Sequence, residues 1–305
     1  ILKSLYPDVP VVIGGIEASL RRLTHYDYWE DKVRPSILAE SGADLLIYGM
    51  GEKPLTDLCR RMKADGKIPS DLLQTAYLVP RSEFKEAEND LRLFSHEECL
   101  ADKKKQAQNF RHIEEESNKY EASRIWQETG KQVVVVNPPY PPMTQGELDM
   151  SFDLPYTRLP HPKYKGKRIP AFDMIKFSVN LHRGCFGGCA FCTISAHQGK
   201  FIVSRSKESI LKEVKAICEM PDFKGYLSDL GVLRPTCMPC MAATSSSAAV
   251  ASAFVHPSQG LPQPEYRPSS AARHLPRRRC TSENQEELHR KRGALRPPAP
   301  REQRP

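Results

Sequence analysis

Apolar positions along this chain fall in short runs closed by turn residues, a pattern of buried strands rather than of long amphipathic surfaces. Val9-Pro10-Val11-Val12-Ile13 ends at Gly14-Gly15, and the run from Ala43 to Tyr48 ends at Gly49-Met50-Gly51. Each predicts a strand leading into a tight turn. Glu52 to Ala64 then carries Leu55, Leu58 and Met62 at helical spacing, with Gly66 as a C-terminal stop. Further strands are predicted at Thr75 to Val79 and Val133 to Val136. Strands alternating with helices imply an α/β layer on a mostly parallel sheet, and residues 1–94 read as one such domain.

Ser95 followed by Glu98 is a capping-box pattern, and Phe110, Ile113, Tyr120 and Trp126 recur at roughly helical intervals. One long charged amphipathic helix is therefore expected over 95–130. Prolines dominate 131–170, most densely at Asn137-Pro138-Pro139-Tyr140-Pro141-Pro142, which predicts an extended connector. In 171–231, alternation at Ile175, Phe177 and Val179 predicts a strand from Ala171 to Leu181. A helix is expected from Ser209 to Met220 and another strand from Tyr226 to Leu230.

Composition divides the chain at the same place that the patterning stops. The 305 residues carry a net charge of +8, yet up to Leu230 basic and acidic residues nearly balance, at 33 and 32. The last 75 residues hold 12 basic and 5 acidic residues and 11 of the 26 prolines. A segment this poor in apolar residues cannot offset its ordering entropy, so 232–305 is expected to be a disordered basic tail. A phosphate-contacting arm is one reading of it, centred on Arg279 and its neighbours, and a solvated extension is another. The abrupt change to Arg, Ala, Ser and Pro is also what an alternative frame of GC-rich coding sequence yields. No apolar run approaches the ~18 to 20 residues of a membrane-spanning helix, and Ile1-Leu2-Lys3-Ser4 does not resemble a signal peptide. A soluble, cytoplasmic protein is expected. A start without Met, so close to a strand, suggests that the natural beginning lies upstream.

Three of the nine cysteines crowd into eight positions, in His182-Arg183-Gly184-Cys185-Phe186-Gly187-Gly188-Cys189-Ala190-Phe191-Cys192. This Cys-x3-Cys-x2-Cys loop follows a predicted strand, and its thiolates suit three irons of a cubane 4Fe-4S cluster, with glycines letting the backbone wrap it. The fourth iron then has no local cysteine and stays open to a small molecule. Zinc is the alternative, completed by His182 or by Cys237 of the later Cys237/Cys240 pair, and it leads to a different function: a zinc-stabilised binding module whose basic tail contacts nucleic acid.

The cluster loop resembles that of radical S-adenosylmethionine enzymes, with Phe191 at the aromatic position before the last cysteine. Gly14-Gly15-Ile16-Glu17-Ala18-Ser19-Leu20-Arg21-Arg22, Asp153-Leu154-Pro155-Tyr156-Thr157-Arg158 and Cys192-Thr193-Ile194-Ser195-Ala196-His197-Gln198-Gly199-Lys200 are similar to the YgiQ-type subgroup. The resemblance runs to about Gly231. It implies a Rossmann-like α/β domain, similar to cobalamin-binding domains, followed by the start of a partial β/α barrel near Lys176. It further implies that Cys185, Cys189 and Cys192 hold a 4Fe-4S cluster and that S-adenosylmethionine is cleaved by one-electron reduction to a 5′-deoxyadenosyl radical. By the same resemblance Phe191 lies near the adenine and Ser228-Asp229-Leu230-Gly231, at the end of the second predicted barrel strand, approaches the methionine end, with Ser228 and Asp229 as the contacts, while Arg205 meets a carboxylate. The electrons come from an external donor such as flavodoxin or ferredoxin. Neither catalytic residues nor the substrate can be named from it. No Asp-x-His-x-x-Gly cobalamin motif is present.

Overall fold

Val12–Ile13 (β1) and Leu45–Ile47 (β2) pair in parallel, as their apolar runs predict, and begin a six-stranded sheet. Thr75–Pro80 (β3), Leu91–Arg92 (β4), Ile125–Thr129 (β5) and Gln132–Val136 (β6) complete it, in the order β1-β2-β3-β6-β5-β4. The computed structural model describes residues 1–185, 189 and 192–231, all within one packed unit. The expected α/β class holds, but the sheet is mixed. β4 joins β5 in parallel, whereas β2–β3, β3–β6 and β5–β6 are antiparallel.

β6 is apolar on both faces because helices and loops cover both. Val134 and Val136 join Leu38, Leu46, Ala76 and Leu93 in one core, while Val133 and Val135 pack with Trp126 in another. Gly15–Leu20 (α1) and Glu52–Asp65 (α2) follow the first two strands, and α2 stops at Gly66, which takes the left-handed conformation expected of a C-terminal glycine.

The single helix expected over 95–130 is instead two helices and a strand. His96–Ala101 (α3) has the predicted Ser95/Glu98 capping box, and Asp102 then turns extended, at φ −140°, and caps Lys103–Ser117 (α4) through the Lys104 amide. After Asn118 the chain reverses. Glu116 accepts from the Ser123 amide and pairs with Lys119, feeding β5, where Trp126 is fully buried in the sheet.

The proline-rich stretch is fastened to the first domain rather than free. Asn137 donates to the Ser70 and Leu72 carbonyls, the Gln74 amide donates to Pro138, and the Tyr140 hydroxyl donates to Asp57. Gln145–Phe152 (α5) follows, with Thr144 and Glu147 forming a second capping box.

The strand predicted from Ala171 is also shorter. Proline at the first position starts a helix, Pro170–Ile175 (α6), which leaves Ile175 exposed, and only Ser178–Asn180 (β7) is strand. Phe177, Val179 and Leu181 nonetheless bury as their alternation predicts, beneath Ile210, Val214 and Ile217 of a later helix. His182–Arg183 (β8) pairs antiparallel with Val203–Ser204 (β9); between them lie the cysteines and the short helix Ile194–Gln198 (α7). Lys207–Cys218 (α8) returns the chain to Asp229–Gly231 (β10), which lies parallel to β7.

Candidate functional site

The cysteine-bearing excursion is closed at its base by the β8/β9 ladder and by two further bonds. The Gly184 amide donates to the Gln198 side chain at 3.0 Å, and the Cys185 amide donates to the Gly199 carbonyl at 3.0 Å. Gly184 has φ +83°, and a Cβ there would stand 2.2 Å from the Phe201 carbonyl oxygen, so only glycine lets the two strands of the excursion pass. Farther out, the Cys192 amide donates to the Cys189 carbonyl at 3.1 Å, turning the loop back on itself. Cys189 is exposed, while Cys185 and Cys192 are half-buried. Phe191 lies outside the described residues, as do Cys237, Cys240 and the basic tail.

The first domain supports the far side of this excursion. Ser19, fully buried on α1, places its hydroxyl 2.8 Å from the Gly15 carbonyl, 3.0 Å from the Gly49 amide and 2.9 Å from His197 Nδ1. The hydroxyl has one proton, which goes to Gly15. It therefore accepts from Gly49 N–H and from His197 Nδ1–H, and the neutral ring keeps its lone pair on Nε2. Burial, Arg183 and Arg22 all push the His197 pKa down, in that order of size, which favours this neutral ring. Gly49, at φ +71°, passes so close that a Cβ would meet Gln74 Nε2 at 3.1 Å and the His197 carbonyl at 3.2 Å. Lys200 pairs with Glu114 of α4 at 2.5 Å, and Arg183 with Glu52 at 3.5 Å.

Other residues singled out by sequence take different places. Arg205 is buried and its guanidinium is committed within the protein. It donates to the Asn180 and Ser209 carbonyls and to Ser209 Oγ, pairs with Glu213, and lies 4.1 Å over the Phe152 ring. Asp229 is the first residue of β10 and Ser228 precedes it, rather than either standing at the strand's end. The register pairs Asp229 with Ser178 and Gly231 with Asn180, so Gly231 is the residue at the cysteine-loop end, where His182 hydrogen-bonds its backbone. Ser228, whose amide donates to Phe177, is about 10 Å back along the strand. His182 is half-buried in β8 with its pKa lowered by burial.

Ser19, Gly49 and Gln198 were given no individual role by the sequence reading, although Ser19 and Gln198 lie in the stretches that carry the resemblance. The available signal was the pair of glycine turns after β1 and β2, because an open backbone turn at a strand end is where another segment approaches closely.

Comparison with known proteins identifies the family of the first part of the chain. Residues 1–178 match the family described as Radical SAM N-terminal. The chain is 72% identical over 244 residues to a UPF0313 protein of Bacteroides thetaiotaomicron, an alignment covering 76% of this chain and 39% of the relative. It is 68% identical over 234 residues to a UPF0313 protein of Porphyromonas gingivalis, covering 76% and 37%, and 45% identical over 232 residues to one of Methanocella arvoryzae, covering 75% and 38%. The chain thus spans less than two fifths of the length of these curated relatives. No solved structure matches it. Through residues 1–178, which carry its central sheet, the chain belongs to the radical SAM N-terminal family.

Proposed function

We propose that the protein is a radical enzyme whose 4Fe-4S cluster is held by Cys185, Cys189 and Cys192 and whose second cofactor is S-adenosylmethionine. The observation that carries this reading is the excursion itself: three thiols on one loop, pinned at its base by Gly184, Cys185 and β8/β9, in a chain of this family. The donor set fits, since a thiolate-only loop with one iron left unligated suits a cubane cluster better than zinc. Among the described residues no three His, Cys, Asp or Glu side chains are gathered as a metal requires.

When bound, the cluster supplies the electron that cleaves the sulfonium of S-adenosylmethionine and so yields a 5′-deoxyadenosyl radical. The chain's own residues supply position. Gly184 lets the excursion fold flat against Phe201, Ser19 and Gly49 hold the His197 segment, and Arg205 locks the end of β7 to α8, acting as a positioning residue. The register of β10 argues for Gly231, rather than Ser228 or Asp229, as the strand residue beside the cofactor.

Anaerobic reconstitution with iron and sulfide tests the reading. Expected are equal amounts of iron and labile sulfide, a reduced-state paramagnetic signal altered by S-adenosylmethionine, and loss of both on changing any of the three cysteines to alanine. Stoichiometric zinc without labile sulfide, or a cluster unaffected by S-adenosylmethionine, would overturn it. For the whole protein, dithionite or a reduced flavodoxin is expected to support release of 5′-deoxyadenosine.

A further inference from the structure

A cavity of about 140 Å³ lies at the strand ends of the central sheet, beside the cysteine excursion. Its floor is formed by residues just past the carboxyl ends of β2 and β6, including Tyr48 and Asn137, and its roof by the segment from Ser195 to Phe201. Crevices outside the carboxyl ends of strands are where α/β sheets hold ligands.

The walls are largely apolar, with Tyr48, Tyr120, Phe201 and the Pro138 to Pro142 run contributing most of the rings. The lysines are already neutralised: Lys53 by Glu147 at 2.9 Å, Lys119 by Glu116, and Lys200 by Glu114 at 2.5 Å. Arg22 is different. Its guanidinium stacks 4.8 Å over the Tyr48 ring and donates to the Ser19 carbonyl at 2.5 Å, but its Nε is buried without a partner, and among the described residues no carboxylate is paired with it. Burial lowers its pKa, although a guanidinium remains charged. A half-buried cation whose buried Nε is an unused donor is stabilised when an anion meets it.

We infer that this cavity binds a small aromatic carboxylic acid, its ring between Tyr48, Tyr120 and Phe201 and its carboxylate on Arg22. A fixed fork of donors beside an aromatic wall suits a planar acid better than a compact, strongly hydrated anion. Because the site uses no cluster, it is tested without iron, and its failure is separate from failure of the radical reading.

The test is calorimetric titration of the full 305-residue chain, iron-free, with phenylacetate, phenylacetamide and inorganic phosphate as probes. Phenylacetate is expected to bind at least tenfold more tightly than either of the others, and Arg22→Gln to remove that preference. Equal affinity for acid and amide, equal or tighter binding of phosphate, absence of phenylacetate binding at millimolar concentration, or a preference unchanged in Arg22→Gln would each overturn the proposal. The comparison of acid with amide uses the unaltered chain and does not depend on the variant folding.

Discussion

The Arg205 guanidinium joins three segments that are distant in sequence: the end of β7 through the Asn180 carbonyl, the first turn of α8 through Ser209, and the α5 ring of Phe152. Lysine keeps the charge but has no planar fork, so Arg205→Lys is expected to lower stability by about 2 kcal/mol through lost hydrogen bonds to Asn180 and Ser209. Urea denaturation checks this, and an unchanged midpoint would refute it. Gly184→Ala tests a close approach instead. Its Cβ would overlap the Phe201 carbonyl, so the base of the cysteine excursion must open, at a cost of roughly 2 kcal/mol. Limited proteolysis is expected to cut the variant between residues 184 and 203 first. The cysteine spacing was readable from sequence because the three thiols lie on one short loop. The burial of Arg205 was not, because its acid, Glu213, is eight positions away and only the packing of α8 on β7 brings them together.

Short apolar runs were readable at close to their true bounds: β2, β3, β6 and the α2 stop at Gly66 need only local information. The pattern misleads at 95–130 because Tyr120, in the loop after α4, and Trp126, in β5, mimic helical spacing, and a single extended residue, Asp102, divides the helix without proline or glycine to announce it. The Thr144/Glu147 box of α5 offers a prediction at this scale. The Thr144 amide donates to Glu147 at 2.7 Å and Lys53 pairs with it at 2.9 Å; with the Thr144 amide as the larger cause, the carboxyl falls from 4.5 to about 2. A carboxylate with a depressed folded value contributes stability above its ordinary pKa and loses it as pH falls toward the folded one. Glu147→Gln is therefore expected to cost about 1 kcal/mol at pH 7 and to flatten the stability profile between pH 4.5 and 2. An unchanged acid limb in chemical denaturation would refute this.

At the scale of the molecule, the first domain and the cysteine excursion are joined by few polar contacts, and Ser19 stands at their centre because it serves Gly15, Gly49 and His197 at once. That makes the junction sensitive to the charge of one ring. His197 has a folded pKa below its ordinary 6.5, through burial first and then Arg183 and Arg22, so the unfolded chain binds the proton more tightly. The stability that it contributes is complete above pH 6.5 and declines as pH falls from there toward the folded value. His25, His96 and His182 are shifted in the same direction, so the global profile alone cannot isolate His197. His197→Asn keeps a donor near the Ser19 hydroxyl but cannot take a proton in this range. Amide exchange at Gly49, whose N–H is bonded to Ser19, is then the local readout. In the unaltered chain its protection is expected to fall several-fold between pH 7 and 5.5, after correction for intrinsic exchange, as a charged ring beside Arg183 and Arg22 loosens the contact. In His197→Asn it is expected to stay flat. Equal pH dependence in both would mean that the domains are held by Glu114 with Lys200 and Glu52 with Arg183, and that the serine–histidine contact only follows them.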